Sequence, residues 1–266
     1  KDEQVPAEGL PVKCSACGAE FTAGTQEKKS SDISFEITKG EKVALLGKNG
    51  CGKTTLLKIL LGIYKSKGSV KLFSKEIIKY SRKELAKLIS YVPQTHQIPF
   101  DYTVFDVVLM GRLAHIGLFS NYSLNDKNIA IKCLEKVGIL HLKDNIYSKI
   151  SGGERQLAFI ARALTQESKI IFMDEPVTGL DYGNQLKLLK FLKELCVEGY
   201  TFVKTTHYPD HALYASNKVM MLKDGKVLDV GDINTKLTTY NIKELYDVDV
   251  EIISRENGYK YCIPTI

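Results

Sequence analysis

The stretch "GKNGCGKTT", residues 47–55, offers the plainest chemistry in the chain: a glycine, four residues, then Gly-Lys-Thr. Gly47, Gly50 and Gly52 let the backbone fold around an oxygen-rich polyphosphate. The N–H groups from Lys48 and Asn49 onward then turn inward at the positive end of a helix. Lys53 is placed to neutralise the β and γ phosphates, and Thr54, followed by Thr55, to hold Mg²⁺ through its hydroxyl. Cys51 lies inside this loop, beside a helix start and a lysine, both of which lower a thiol pKa. It reads either as a small side chain that fits or as a redox switch.

A second source of chemistry is "KIIFMDEP", where Asp174 and Glu175 end an apolar run. In an open α/β sheet the carboxyl ends of the strands are where ligands bind. Two adjacent acids there can divide labour, Asp174 holding Mg²⁺ and Glu175 reaching an attacking water. His207, after the apolar run "TFVKTT", reads equally as structural or as a contact to a γ-phosphate. Gln94, in "YVPQ", taken alone reads as a surface amide. "SGGERQ", residues 151–156, begins a helix with two glycines, which suits an anion, yet it brings no lysine.

The elements that must carry these residues follow from periodicity. From residue 32 onward short apolar runs alternate with helical segments, the pattern of an α/β protein whose parallel strands are buried on both faces. "KVALLG" (42–47), "KIIFMD" (169–174) and "TFVKTT" (201–206) read as buried strands, and residues 95–165 as a helical insertion. Behind "SGGERQ", Leu157, Ile160, Ala161 and Leu164 recur at helical spacing and should anchor that helix in the core. "VMMLKDGKVLDVG" (219–231) and "VDVEIISRENGYKYCI" (248–263) read as hairpins, turning at Asp224-Gly225 and Asn257-Gly258.

The 266 residues are 44% hydrophobic and 26% charged, ample for a core. Lys and Arg number 37 against 31 Asp and Glu. That excess is spread along the chain without the basic runs of a nucleic-acid-binding arm, so no nucleic-acid partner is expected; it suits a solvated basic surface or docking beside an anionic membrane leaflet. No apolar stretch is long enough to span a bilayer and no secretory core is visible, which points to the cytosol. Six irregularly spaced cysteines read as reduced thiols.

Six stretches in order resemble the ATP-binding cassette (ABC) ATPases over about residues 32–250: "GKNGCGKTT" as Walker A, "YVPQ" as the Q-loop, "ISGGERQ" as the signature, "IIFMDEP" as Walker B, "TGLD" (178–181) as the D-loop and "TTH" (205–207) as the H-loop. The resemblance implies a P-loop NTPase fold of the α/β class, with a mainly parallel core sheet, an antiparallel β subdomain and a helical subdomain. It implies ATP and Mg²⁺ as ligands, and a head-to-tail homodimer that sandwiches two ATP molecules. Carried onto this chain, Ser151, Gly152 and Gly153, with Glu154 beside them, face the phosphate held by the partner's Lys53. Glu175 is the general base, His207 organises the γ-phosphate, Gln94 completes the Mg²⁺ environment with Thr54 and Asp174, and Asp181 crosses the dimer interface.

"PFDYTVFDVVLMGR" (99–112) and "GNQLKLLKFLKEL" (183–195) look most like importers of iron chelates, haem, cobalamin or molybdate. The implied protein is a peripheral subunit on the cytoplasmic face of the membrane, docked on integral-membrane permease subunits through the surface from Tyr102 to Arg112. A periplasmic or extracellular substrate-binding protein is an indirect partner. Other cargoes, or a soluble ABC protein without a transport role, are the competing readings.

Three domain ranges are expected: an atypical segment over 1–26, the ATPase over 27–240, and a β-hairpin extension over 241–266. The first departs from the family, with Phe21 the nearest aromatic for stacking adenine. Its Cys14-x-x-Cys17 is half of a zinc ribbon without its other half, which favours an extension over a zinc site. Ile150 replaces the commoner leucine before the signature serine. Lys204, in a strand expected to be buried, must snorkel or find a partner for its charge.

Overall fold

The structure, a computed structural model, describes residues 21–23, 33–66, 68–94, 100–117, 120–255 and 259–265. The chain divides into two compact units, Lys1–Tyr80 with Thr205–Ile266, and Ser81–Lys204.

The first unit begins with β1 (Phe21–Ala23), antiparallel to β2 (Ile33–Phe35), where the sequence reading expected no opening strand. β3 (Lys42–Leu46) is the buried run "KVALL", and it feeds the phosphate loop and α1 (Lys53–Leu60). β4 (Lys71–Leu72) and β5 (Lys75–Glu76) form a small antiparallel pair.

The second unit carries α2 (Arg82–Leu88), β6 (Ile89–Val92), α3 (Val104–Leu109), α4 (Leu124–Lys136), α5 (Gly152–Thr165), β7 (Ile170–Met173), α6 (Tyr182–Val197) and β8 (Thr201–Thr206), whose last two residues fall in the first unit. β6, β7 and β8 pair in parallel in that order. β7 and β8 are buried at every position, as parallel strands covered on both faces must be. Lys204 in β8 is only 3% exposed, so its ammonium does not snorkel to water.

Back in the first unit, α7 (Pro209–Ala215) leads to β9 (Lys218–Lys223), parallel to β3, and β10 (Lys226–Asp232), antiparallel to β9. Asp224 and Gly225 both hold positive φ, the twist a two-residue hairpin needs, and so form the expected turn. After α8 (Ile233–Lys236) and α9 (Thr239–Tyr246), β11 (Val250–Ser254) and β12 (Lys260–Pro264) pair antiparallel; their turn at Asn257-Gly258 lies outside the described residues. Val250, Ile252 and Cys262 pack on a core that includes Ala44, Leu46, Val219, Met221 and Leu245.

Four of the five α-helices described in the second unit begin in the same way. Ser81, Thr103, Ser123 and Ser151 each close a capping box with an acid three residues on, so two first-turn donors are satisfied reciprocally. The box at α4 has a second duty, because Asp126 also accepts from buried Arg112 at 2.8 Å. Arg112 goes on to the Thr165 carbonyl at 3.0 Å and to Glu167 at 2.6 Å, fastening the segment after α3 to α4 and to the end of α5. Arg112 is thus a buried tie and not a surface residue, which corrects its expected place on a permease-facing surface.

The Ser123 hydroxyl, with the Arg112 guanidinium next, lowers the Asp126 carboxyl to about 2 against opposing burial. A carboxyl whose folded pKa lies below its unfolded value of about 3.9 stabilises the fold above that value. The contribution drains away as pH falls through about 2. Asp126→Asn should therefore cost about 2–4 kcal/mol in urea unfolding at pH 7. The gap to wild type should narrow steadily below pH 4, and a gap that stays constant down to pH 3 would refute this role.

Candidate active site

The phosphate loop is moulded onto the β9–β10 hairpin. A Cβ on Gly47 would sit 2.3 Å from the Leu222 carbonyl oxygen and 2.6 Å from Cys51 Sγ, so only glycine fits there. The Gly225 N–H donates to the Cys51 carbonyl at 3.2 Å, tying the hairpin turn to the loop. Lys53 is 5% exposed, and its ammonium donates to the carbonyls of Gly47 at 2.7 Å and Lys48 at 3.0 Å. Folded back in this way, the ammonium is held over its own loop.

α1 starts unlike the helices of the second unit. Its N-cap is Gly52, at φ 103°, with no side-chain cap hydrogen bond. A glycine-led helix start of this kind, beside a lysine, has the dipole and the backbone donors that suit an anion.

Cys51 supports one of its two sequence readings, the small side chain that fits, over the redox switch. Its thiol is 7% exposed, and burial pushes its pKa up, outweighing the lowering by Lys53 and by the loop N–H groups. The side chain fills the space under Gly47, which supports the reading of a small group that fits. His207, also in the first unit, is half-buried with its ring 4.0 Å from that of Tyr208.

In the second unit, the Asp174 N–H donates to the Val92 carbonyl at 2.9 Å, carrying the β6–β7 pairing one residue past Met173. Asp174 is 2% exposed, at the strand end where the sequence placed it. Glu175 then turns the chain sharply, with φ at 46°, in the left-handed region that a non-glycine residue rarely adopts. Its carboxylate accepts from Gln94 Nε2 at 2.9 Å and from Thr178 Oγ1 at 3.2 Å. Gln94 and Glu175, 81 residues apart, are thus brought into contact.

The same hydrogen bond bears on Mg²⁺. Gln94 donates an amide N–H to Glu175 and keeps its amide oxygen as an acceptor. In the second unit that oxygen and the Asp174 carboxylate, and in the first unit the Thr54 hydroxyl, are hard oxygen donors, the kind Mg²⁺ takes. No cluster of three or more His, Cys, Asp or Glu suited to a metal occurs among the described residues.

Ser151 to Glu154 and Asp181 come together at one cavity of about 650 Å³, walled by Leu157, Leu180, Leu188 and Phe191. Leu157 is only half-buried, so it lines this cavity, whereas Ile160, Ala161 and Leu164 go to the core as expected. Ser151 Oγ accepts from the Glu154 N–H at 3.3 Å, and the Glu154 carboxylate accepts from the Ser151 N–H at 2.8 Å. The Ser151 hydroxyl, then its N–H, hold the Glu154 carboxyl below its usual value. Glu154 therefore closes the cap, and the first-turn N–H groups of Gly152 and Gly153 are the donors left for an anion. The pattern Ser-x-x-Glu was readable in the sequence as a capping box. Asp181 caps α6, accepting from the Asn184 N–H at 2.9 Å.

The ABC transporter family model matches residues 30–178, more than half of the chain. The chain belongs to the ABC transporter family. It is similar to the molybdate import ATP-binding protein MolC of Haemophilus influenzae, 37% identical over 80% of each chain. It is also similar to the iron(3+)-hydroxamate import ATP-binding protein FhuC of Bacillus subtilis, 36% identical over 84% of each. Among solved structures, a chain from a transporter assigned to the metal-chelate ABC type, caught in an inward-facing conformation, matches with a TM-score of 0.80 at 33% identity. That match covers 92% of this chain and 95% of the other. The parallel strands, the small antiparallel pairs and the helical stretch around α3–α5 are those of the ABC ATPase fold, and ATP hydrolysis is the activity that goes with it.

No helix among the described residues is long and apolar enough to cross a membrane. Cys14 and Cys17 lie outside the described residues, as does the side chain of Phe21. Cys51, Cys133, Cys196 and Cys262, the cysteines among the described residues, form no disulfide.

Burial and a raised pKa make Cys51 a poor nucleophile. In the folded protein at pH 7.5, iodoacetamide should modify it at least about tenfold more slowly than in the urea-unfolded chain. Peptide mapping by mass spectrometry reads this directly, and equal rates would restore the case for a reactive thiol.

Proposed function

We propose that this chain is the ATP-hydrolysing subunit of an importer for a metal chelate or molybdate, working as a head-to-tail homodimer docked on permease subunits at the cytoplasmic face of the membrane. The observation that carries it is the contrast between two helix starts. α1 has a lysine and no side-chain cap, while α5 has a cap and no lysine. Each looks like half of a phosphate site, and a second copy supplies the other half. The import functions named for the relatives support the cargo class.

In this reading Gly47–Thr55 wraps the β and γ phosphates of one ATP, with Lys53 leaving its loop carbonyls to neutralise them. Gly152 and Gly153 of the partner donate from the opposite side. Thr54, Asp174 and Gln94 would hold Mg²⁺, which when bound would neutralise charge on the phosphate oxygens. Glu175 takes a proton from water as its oxygen attacks the γ-phosphorus. The bond to the β,γ-bridging oxygen breaks, and ADP and inorganic phosphate leave. His207 steadies the γ-phosphate, and Asp181 meets the partner across the interface. Closure of the dimer around ATP delivers the stroke, and hydrolysis reopens it.

Permease docking falls to the exposed apolar side chains near α3. Val104, Val107, Val108 and Leu109 are buried, which leaves Phe100, Tyr102 and Leu113 as the accessible group. Phe100 and Tyr102 meet edge to face, with ring centroids 6.0 Å apart.

Glu175→Gln should bind ATP normally, lose at least about a hundredfold in turnover, and accumulate as a closed dimer in size-exclusion chromatography with ATP and Mg²⁺. A variant that stays monomeric, or one that hydrolyses at the wild-type rate, would count against the role of Glu175. Ser151→Asp tests the shared site without disturbing the helix, because aspartate caps as well as serine. Its added negative charge should leave ATP affinity unchanged while abolishing hydrolysis; a loss of ATP binding would mean that the site is not shared between subunits.

A further inference from the structure

Two donors converge on one oxygen of Glu175, and they differ in kind. Gln94 reaches Oε2 from beyond β6, at 2.9 Å. Thr178 reaches the same atom from within the turn that Glu175 itself begins, at 3.2 Å. That turn is closed by a backbone bond from the Thr178 N–H to the Glu175 carbonyl at 3.1 Å. Backbone and side chain of Thr178 therefore both return to Glu175, whose left-handed φ sets the direction of its side chain.

We propose that Thr178 is a positioning residue, whose hydroxyl tethers Glu175 Oε2 and so holds the carboxylate in one orientation. This rests on the reading of Glu175 as the general base. The hydroxyl belongs to the turn that Glu175 begins, so the tether is part of the local fold. The bond is at the long end for a hydroxyl donor, so the support should be moderate.

The experiment compares Thr178→Val, which keeps the shape and removes the hydroxyl, with Thr178→Ser, which keeps the hydroxyl. Each is made in the wild-type and Glu175→Gln backgrounds, and ATP hydrolysis and thermal unfolding are measured on the full chain. Thr178→Val should lower kcat about five- to tenfold with KM for ATP and Tm unchanged, and Thr178→Ser should restore the rate. In the Glu175→Gln background, Thr178→Val should change the residual rate by less than about twofold, since the group it positions is gone.

Wild-type turnover by Thr178→Val, beside an inactive Glu175→Gln, overturns the tether alone. The same fold loss in both backgrounds overturns it too, because Thr178 would then act through something other than Glu175. Wild-type turnover by Glu175→Gln sinks the general-base reading and the tether with it.

Discussion

A helix with glycine at its N-cap in place of a capping side chain gives up roughly a few tenths of a kcal/mol, and α1, capped by Gly52, accepts that loss. The rest of the first unit is arranged so that it can. β3 delivers the chain to Gly47 under full burial, the Leu222 carbonyl leaves no room for a Cβ there, and the Gly225 N–H holds the Cys51 carbonyl. Lys53, turned onto its own loop carbonyls, keeps a buried ammonium solvated by protein. Burying a charge without such partners would cost several kcal/mol. The loop is thus shaped in advance for an anion, with little left to reorganise on binding.

The second unit answers the same problem in the opposite way. Its helices are capped, and the cap at Ser151 determines what the signature can offer. With Glu154 folded back onto the Ser151 N–H, the donors that remain belong to two glycines, which place no Cβ in front of an approaching phosphate. The shared site of the proposed dimer would join these two halves. The buried tie of Arg112 to Asp126, Thr165 and Glu167 holds α4 and α5 together behind that surface.

Much of this was legible in the chain, and the failures have physical causes. The apolar runs of β3, β7 and β8 and the Asp224-Gly225 turn were readable because burial on both faces and a tight hairpin each demand particular residue types. β6 was missed: it has four residues, and Ser90 and Tyr91 break its apolar run. For Cys51 the sequence shows the neighbouring Lys53 and the helix start but not the enclosure, and enclosure wins, which favours the small side chain that fits over the redox switch. Glu154 was assigned to the anion although its spacing from Ser151 already spelled a capping box. Arg112 looked like a surface cation because its partners lie 14 and 55 residues further along the chain. Thr178 was legible only as the first residue of "TGLD", since only the turn of the chain at Glu175 brings its hydroxyl to the carboxylate.

The hairpin under the phosphate loop has a consequence for how the protein can be altered. Tips of β-hairpins are ordinarily the places that accept inserted residues, tags or fused domains. The turn at Asp224-Gly225 is different, since its amide is bonded to Cys51 and the strand before it presses a carbonyl against Gly47. Lengthening this tip would withdraw the surface against which the nucleotide loop is formed. It should be among the least permissive loops in the first unit for insertional engineering, although nothing about its exposed Asp224 advertises the fact.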